Sequence, residues 1–122
     1  MTVRMKIYLW PPSGNHTWQI GKGRARLSEK TKTFRLAMKS WILAQRSYGI
    51  VPKEPITGDI KVKLTFYPPD RRRRDLENFE KTFNDALTKA GLWLDDSQIK
   101  HKEVVWGEVF KGGAVLVELE QI

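Results

Sequence analysis

Val3, Met5, Ile7 and Leu9 alternate with Arg4, Lys6 and Tyr8, the period of a strand with one buried face. Trp10-Pro11-Pro12-Ser13-Gly14-Asn15 ends it, because neither proline has an amide hydrogen to give a sheet ladder. From His16 to Leu27 the chain reads as a loop or loose hairpin with basic tips, carried by Gly21-Lys22-Gly23-Arg24-Ala25-Arg26. Ser28 suits a helix N-cap, and Phe34, Ala37, Met38, Trp41, Ala44 and Tyr48 follow at helical spacing until Gly49 closes the helix. Leu36 and Leu43 fall on the opposite side, either as isolated surface leucines or facing a second subunit.

After a connection from Pro52 to Pro55, Ile60, Val62, Leu64 and Phe66 alternate with Lys61, Lys63 and Thr65, the clearest strand in the chain. Tyr67-Pro68-Pro69-Asp70 breaks it. A second helix starts near Asp75, with Leu76, Phe79, Phe83, Ala86, Leu87 and Ala90 on its apolar face and Gly91 as its stop. Leu92-Trp93-Leu94 is a packing segment and Asp95-Asp96-Ser97 a turn. Two more strands are predicted around Ile99 to Phe110 and Ala114 to Glu120, joined as a hairpin at Lys111-Gly112-Gly113. This order predicts a single α+β domain over residues 1–122, with a mixed sheet of about four to five strands and two main helices.

Length agrees, since 122 residues supply one modest core. With no cysteine, disulfides and thiolate metal sites are excluded. Residues Met1 to Trp10 do not have a signal-peptide pattern, and no apolar run approaches the roughly 20 residues that span a bilayer. A cytoplasmic protein without membrane contact is therefore expected. Charge changes the picture more: 22 Lys and Arg against 14 Asp and Glu leave +8, a balance that attracts polyanions such as DNA.

The candidate chemistry begins at Asp70-Arg71-Arg72-Arg73-Arg74-Asp75-Leu76-Glu77-Asn78. Four adjacent arginines repel one another and outnumber the nearby carboxylates; a phosphate backbone would relieve that repulsion through two-point guanidinium contacts. A solvated basic loop is the plainer reading, but the run lies at a helix start, where backbone N–H groups also favour anions. Asp75 and Glu77 have an ordinary explanation as an N-cap and a first-turn acid, and Lys81 as the i+4 partner of Glu77. The second acidic pair, Asp95-Asp96, tips the balance if the turn folds back under the helix. Asp75, Glu77 and Asp96 would then offer hard oxygen ligands suited to Mg²⁺, with Lys81 available to neutralise charge on a reacting phosphate. His16 and His101 do not have zinc-site spacing.

The central block resembles the RusA family of Holliday-junction resolvases, small enzymes of phages and prophages. The resemblance is carried by Pro69 to Asn78, by Lys81, and by Asp85-Ala86-Leu87-Thr88-Lys89-Ala90-Gly91-Leu92-Trp93-Leu94-Asp95-Asp96-Ser97-Gln98. Leu9-Trp10-Pro11-Pro12-Ser13 and Lys111-Gly112-Gly113 extend it over almost the whole chain. It implies a RusA-like fold and a homodimer that makes paired, symmetric nicks in four-way DNA junctions with Mg²⁺, Mn²⁺ being a possible substitute, and no small-molecule cofactor. It also implies that Asp75, Glu77 and Asp96 are the catalytic, metal-binding acids and Lys81 the catalytic lysine. Arg74 and Asn78 flank that site, and Arg71, Arg72 and Arg73 join them as expected DNA contacts. One departure is visible: the family pattern reads Asp-Leu-Asp-Asn where this chain has Asp75-Leu76-Glu77-Asn78, which shifts one carboxylate by about a bond length.

A two-fold dimer matches a substrate with two equivalent strands to cut, and Leu36 with Leu43 is a candidate for part of that contact. Trp10 is expected in the core, whereas Trp18 is open to stacking on unpaired bases. Two other classes stay in view. A protein that only binds branched or single-stranded DNA would use the acids merely as caps and turns. A structural phage protein with an incidental basic surface would have no use for carboxylates beside arginines.

Overall fold

A computed structural model describes residues 1–14, 18–21 and 24–122, with the backbone alone for 18–21 and 24–26. The expectations placed on His16, on the basic tips between Gly21 and Arg26 and on the Trp18 side chain lie outside what is described.

The elements are β1 (Thr2–Ile7), β2 (Trp18–Gly21), β3 (Arg24–Leu27), α1 (Glu29–Ser47), β4 (Ile60–Tyr67), α2 (Leu76–Lys89), β5 (Ile99–Trp106) and β6 (Ala114–Gln121). A four-stranded mixed sheet runs in the order β1-β6-β4-β5, and β2 with β3 forms a separate antiparallel hairpin. The α+β architecture with two helices is as the periodicities predict.

Alternation decides which face is covered. Val3, Met5 and Ile7 of β1, Ile60, Val62, Leu64 and Phe66 of β4, and Val115, Val117 and Leu119 of β6 are buried. They meet Phe34, Met38 and Ile42 of α1 and Phe79, Phe83, Ala86 and Leu87 of α2 in one core. Ile42, not Ala44 or Tyr48, completes the α1 face, and Tyr48 stands in solvent. The other sheet face is open to water. There Arg4, Glu118, Lys63 and Glu103 stand in register across all four strands. Arg4–Glu118 at 3.7 Å and Lys63–Glu103 at 3.3 Å pair within this row, and such exposed pairs set register more than they add stability.

Both helix starts follow the caps read from sequence. The Ser28 hydroxyl accepts from the Thr31 amide at 3.2 Å, and the Asp75 carboxylate from the Glu77 amide at 3.2 Å. β4 and β5 are parallel, so the chain between them must cross over, and α2 is that crossover.

The expected strand pairing is also corrected. β5 and β6 do not form a hairpin, because β4 lies between them. β5 is largely exposed, with Lys100 to Glu103 in solvent, and suits an edge; β6 buries Ala114, Val115, Val117 and Leu119 and needs neighbours on both sides. The link from Gly107 to Gly113 instead spans the end of β4, its Gly107 and Phe110 amides donating to Phe66 and Pro68 carbonyls at 2.8 Å each. Gly113 sits at φ +80°, where a Cβ would meet the Trp10 ring at 2.8 Å, so no other residue fits there without displacement.

Candidate functional site

Helix α2 organises the candidate site because its polar side is not covered by the core. Glu77, Lys81, Asn84, Asp85 and Thr88 recur at three- and four-residue intervals and share one face. At the start of that helix lies an arginine-rich cavity, and along its later turns lies a carboxylate-lined one.

The arginine cavity, about 250 Å³, is lined by Pro68, Asp70, Arg71, Arg72, Arg73, Arg74, Trp106 and Val109. The four guanidiniums are not equivalent. Arg74 is mostly buried: it pairs with Asp70 at 2.7 Å, donates to the Asp70 and Arg72 carbonyls at 3.1 Å, and lies over the Trp10 ring at 5.9 Å. Arg72 reaches Asp70 at 3.5 Å, and its amide donates to the same carboxylate at 2.9 Å. That backbone hydrogen bond, followed by the Arg74 side chain, lowers the Asp70 pKa. Arg71 and Arg73 are exposed and form no ion pair among the described residues. Asn78 packs its backbone against Gly14, so the loop after β1 braces the first turn of α2.

Trp106 is a member of this cavity that periodicity did not single out. Its ring lies 6.3 Å from Trp10, nearly parallel to it, and is 39% exposed. Trp10 itself packs on Phe66 and Phe79, the core role expected of it. The one hint in the sequence was that an aromatic followed by Gly107 falls at the end of a strand whose neighbour ends in Pro68-Pro69-Asp70.

The second cavity, about 380 Å³, is lined by Glu80, Lys81, Asn84, Asp85, Asp96, Ile99, Lys100 and Lys102. Asp95 caps the turn Asp96–Gln98, and Gln98 reciprocates by accepting from the Asp95 amide at 2.8 Å. Hydrogen bonds from the Ser97 side chain and then its backbone lower the Asp95 pKa. The turn delivers Asp96 onto α2, where it accepts from Asn84 Nδ2 at 3.3 Å and from the Thr88 hydroxyl. Burial, and next the charge of Asp96, raises the Asp85 pKa, with Lys81 and Arg35 acting the other way. Lys102 is ion-paired with Glu80.

The turn therefore folds back as required, but onto the later turns of α2. Asp75 caps the helix start and Glu77 lies in its first turn, about 14 and 10 Å of helix axis before Asn84 at 1.5 Å per residue. Lys81 and Asp96 share a cavity; Asp75 and Glu77 are not among its lining residues. No ion pair joins Lys81 to Glu77 among the described residues. The donor chemistry of Asp75, Glu77 and Asp96 suits a hard divalent cation; no cluster of three acidic or histidine side chains with metal-binding geometry occurs among the described residues. Asn84, Asp85 and Glu80 are residues the sequence reading passed over.

A basic α+β domain that presents guanidinium groups and carboxylates along one helix has the make-up of a protein that handles phosphodiesters. Comparison with known proteins makes that specific. Residues 9–120 match the family described as Endodeoxyribonuclease RusA. The chain is 35% identical over 113 residues to the crossover junction endodeoxyribonuclease of Enterobacteria phage 82, covering 93% of this chain and 90% of that protein. The proteins of that name from Escherichia coli K12 and Shigella sonnei strain Ss046 are each 36% identical over the same lengths and shares. The chain belongs to the RusA family of endodeoxyribonucleases.

Proposed function

We propose that this chain is a structure-specific endodeoxyribonuclease that resolves Holliday junctions by paired, symmetric phosphodiester cleavage, in DNA recombination and repair. The observation that supports it best is the layout of α2, with the arginine cavity at its start and the Lys81–Asp85–Asp96 cavity two turns on, in a chain of the RusA family. A backbone bound by Arg71 and Arg73 can continue along the helix toward Lys81, whose ammonium would neutralise charge on a phosphate at that point. Asn78 lies between the two and is a further DNA contact in this reading. Arg74 contributes by holding the loop in shape through Asp70, and Arg72, which is exposed, does so with its charge also open to the substrate.

Asp75, Glu77 and Asp96 are the proposed catalytic acids and ligands of a divalent cation, Mg²⁺ with Mn²⁺ as a substitute. Such a cation polarises the scissile phosphate and lowers the pKa of a bound water. A homodimer would match a two-fold substrate with two equivalent strands to cut. Leu36 and Leu43, 68% and 55% exposed and two helical turns apart, are the proposed contact. Leu36→Glu with Leu43→Glu should then reduce the gel-filtration mass to that of one chain. No helix of the described residues is long and apolar enough to cross a membrane; the proposed DNA-cutting role is what supports a cytoplasmic location.

The test is a labelled synthetic four-way junction with Mg²⁺ or chelator, for the parent protein and Asp96→Asn. Paired nicks near the crossover that need Mg²⁺ and vanish in the variant are expected. Tight binding with no nicks in Mg²⁺ or Mn²⁺ would instead identify a junction-binding protein without catalysis.

A further inference from the structure

We propose that the aromatic cluster around Lys6, at one end of the open sheet face, is a second DNA contact that takes an unpaired segment of one strand. Lys6 holds a phosphate there, and the rings of Tyr8 and Phe110 give a base a surface to stack on. The inference deepens the DNA-cutting reading above and rests on it for the choice of polyanion.

Lys6 is exposed on the water-facing side of β1. Its ammonium lies 5.5 Å from the centroid of the Tyr8 ring, 5.0 Å from that of Tyr67 and 4.9 Å from that of Phe110. Three rings hold a cation in place without neutralising it. No carboxylate does so either. Among the described residues Lys6 forms no ion pair, Glu118 on the neighbouring strand is paired with Arg4 at 3.7 Å, and Glu108, the one acid between Gly107 and Gly113, is unpaired. Nor do the rings fill the core: Tyr8 is 51% and Phe110 40% exposed, with centroids 5.6 Å apart. Exposed rings around a fixed, uncompensated cation suit a ligand that is flat and apolar in one part and anionic in the next. An unstacked nucleotide has that make-up.

Position supplies the second argument. Tyr67 and Phe110 belong to this cluster, whereas Pro68 and Val109, their neighbours in sequence, line the arginine cavity. The hydrogen bond from the Phe110 amide to the Pro68 carbonyl ties the two segments together at that boundary. The cluster thus continues the arginine surface across a single ridge, and a strand held by Arg71 and Arg73 reaches Lys6 over Val109 and Phe110. Ring contacts pin both ends of the ridge: a Cβ on Gly107 would meet the Tyr67 ring at 2.5 Å, and one on Gly113 the Trp10 ring. A surface formed in advance gives up little entropy on binding. The plainer role is a lysine that only fastens the end of β1, which predicts no change in DNA binding when it is replaced.

The test follows a short single-stranded oligonucleotide by fluorescence anisotropy across a salt series, with chelator present so that no strand is cut. Lys6→Met keeps the apolar stem and should lower the slope of log affinity against log salt by about 0.7, one phosphate contact on a single strand. Lys61→Met, toward the far end of the same sheet face, should leave the slope unchanged. Phe110→Ala should weaken binding about fivefold or more with its slope unchanged. Ultraviolet crosslinking of the parent protein to an iodouracil-substituted strand should label Phe110 or Tyr8, a readout that needs no variant. Four results overturn the surface: a parental slope in Lys6→Met, an equal loss in Lys61→Met, Phe110→Ala within about twofold of parent, or crosslinks confined to other residues. A fall in gel-filtration mass in Phe110→Ala at parental oligonucleotide affinity also overturns it, and assigns the rings to a second copy. The nuclease reading is tested separately, because no cutting is measured. A chain that binds the strand through Lys6 and Phe110 yet cuts no junction would uphold this surface and remove that reading.

Discussion

The indole N–H of Trp93 donates to the Thr88 hydroxyl at 2.7 Å, and that hydroxyl also contacts the carboxylate of Asp96. Trp93 is fully buried, so a core residue determines where a cavity acid points. The hydroxyl has one hydrogen and accepts from the indole, which leaves it to donate to Asp96 or to the Asn84 carbonyl 3.2 Å away. Thr88 is thus a positioning residue. Thr88→Val should cut junction cleavage by about 10- to 100-fold while changing junction affinity little, and Thr88→Ser should restore it. Single-turnover cleavage at saturating protein separates the two effects; unchanged cleavage in Thr88→Val would show that Asp96 does not depend on this contact.

The four arginines are expected to divide into two kinds. Arg71→Ala and Arg73→Ala should each lower the slope of log affinity against log salt by about 1, with no change in urea midpoint. Arg74→Ala should destabilise the fold by about 2 kcal/mol or more, because the Asp70 carboxylate and two carbonyls lose a mostly buried donor. Equal salt slopes and equal midpoints across the three variants would remove the distinction.

Trp106 offers an exposed aromatic face inside the arginine cavity, so an unpaired base at a junction crossover has a surface to stack on. Trp106→Ala should weaken junction binding by about 1–3 kcal/mol and affect an intact duplex less. Fluorescence of 2-aminopurine placed at the crossover measures this directly. Equal losses on junction and duplex would mean that the ring serves only to pack against Trp10.

Acid should unfold the protein partly through Asp70 and Asp95. Hydrogen bonds to Arg72 and Ser97 hold their folded pKa values below those of the unfolded chain. Their contribution is therefore complete above the unfolded value, near pH 4, and is lost as pH falls through the lower folded value. Asp70→Asn with Asp95→Asn should flatten the fall of the urea midpoint below about pH 4. Asp85 has the opposite sign. Burial raises its folded pKa, so its ionised form subtracts stability at neutral pH. Asp85→Asn should raise the midpoint at pH 7, with the gain disappearing below about pH 4. Parallel curves for all variants would remove these assignments.

By itself the sequence determined the local features of this protein. Alternation in Val3–Ile7 and Ile60–Phe66, the caps at Ser28 and Asp75 and the stops at Gly49 and Gly91 are set by side chains within a few residues of one another. Short-range sterics and hydrogen bonding decide such features. Family membership was legible for a similar reason, because Pro69–Asn78 and Asp85–Gln98 are continuous runs. Strand order was decided elsewhere. Lys111-Gly112-Gly113 has the chemistry of a hairpin turn, but the apolar load on β6 and the charged exposure of β5 placed β4 between them, a competition over burial that no local motif records. The position of Asp96 belongs to the same class. Its descent onto Asn84 and Thr88 depends on Trp93 filling the core and on Gln98 donating to the Ile56 and Gly58 carbonyls at 2.9 Å, about forty residues earlier in the chain. Such contacts arise only when the sheet, the crossover helix and the preceding loop are packed together, and they placed Asp85 and Asn84 beside Asp96.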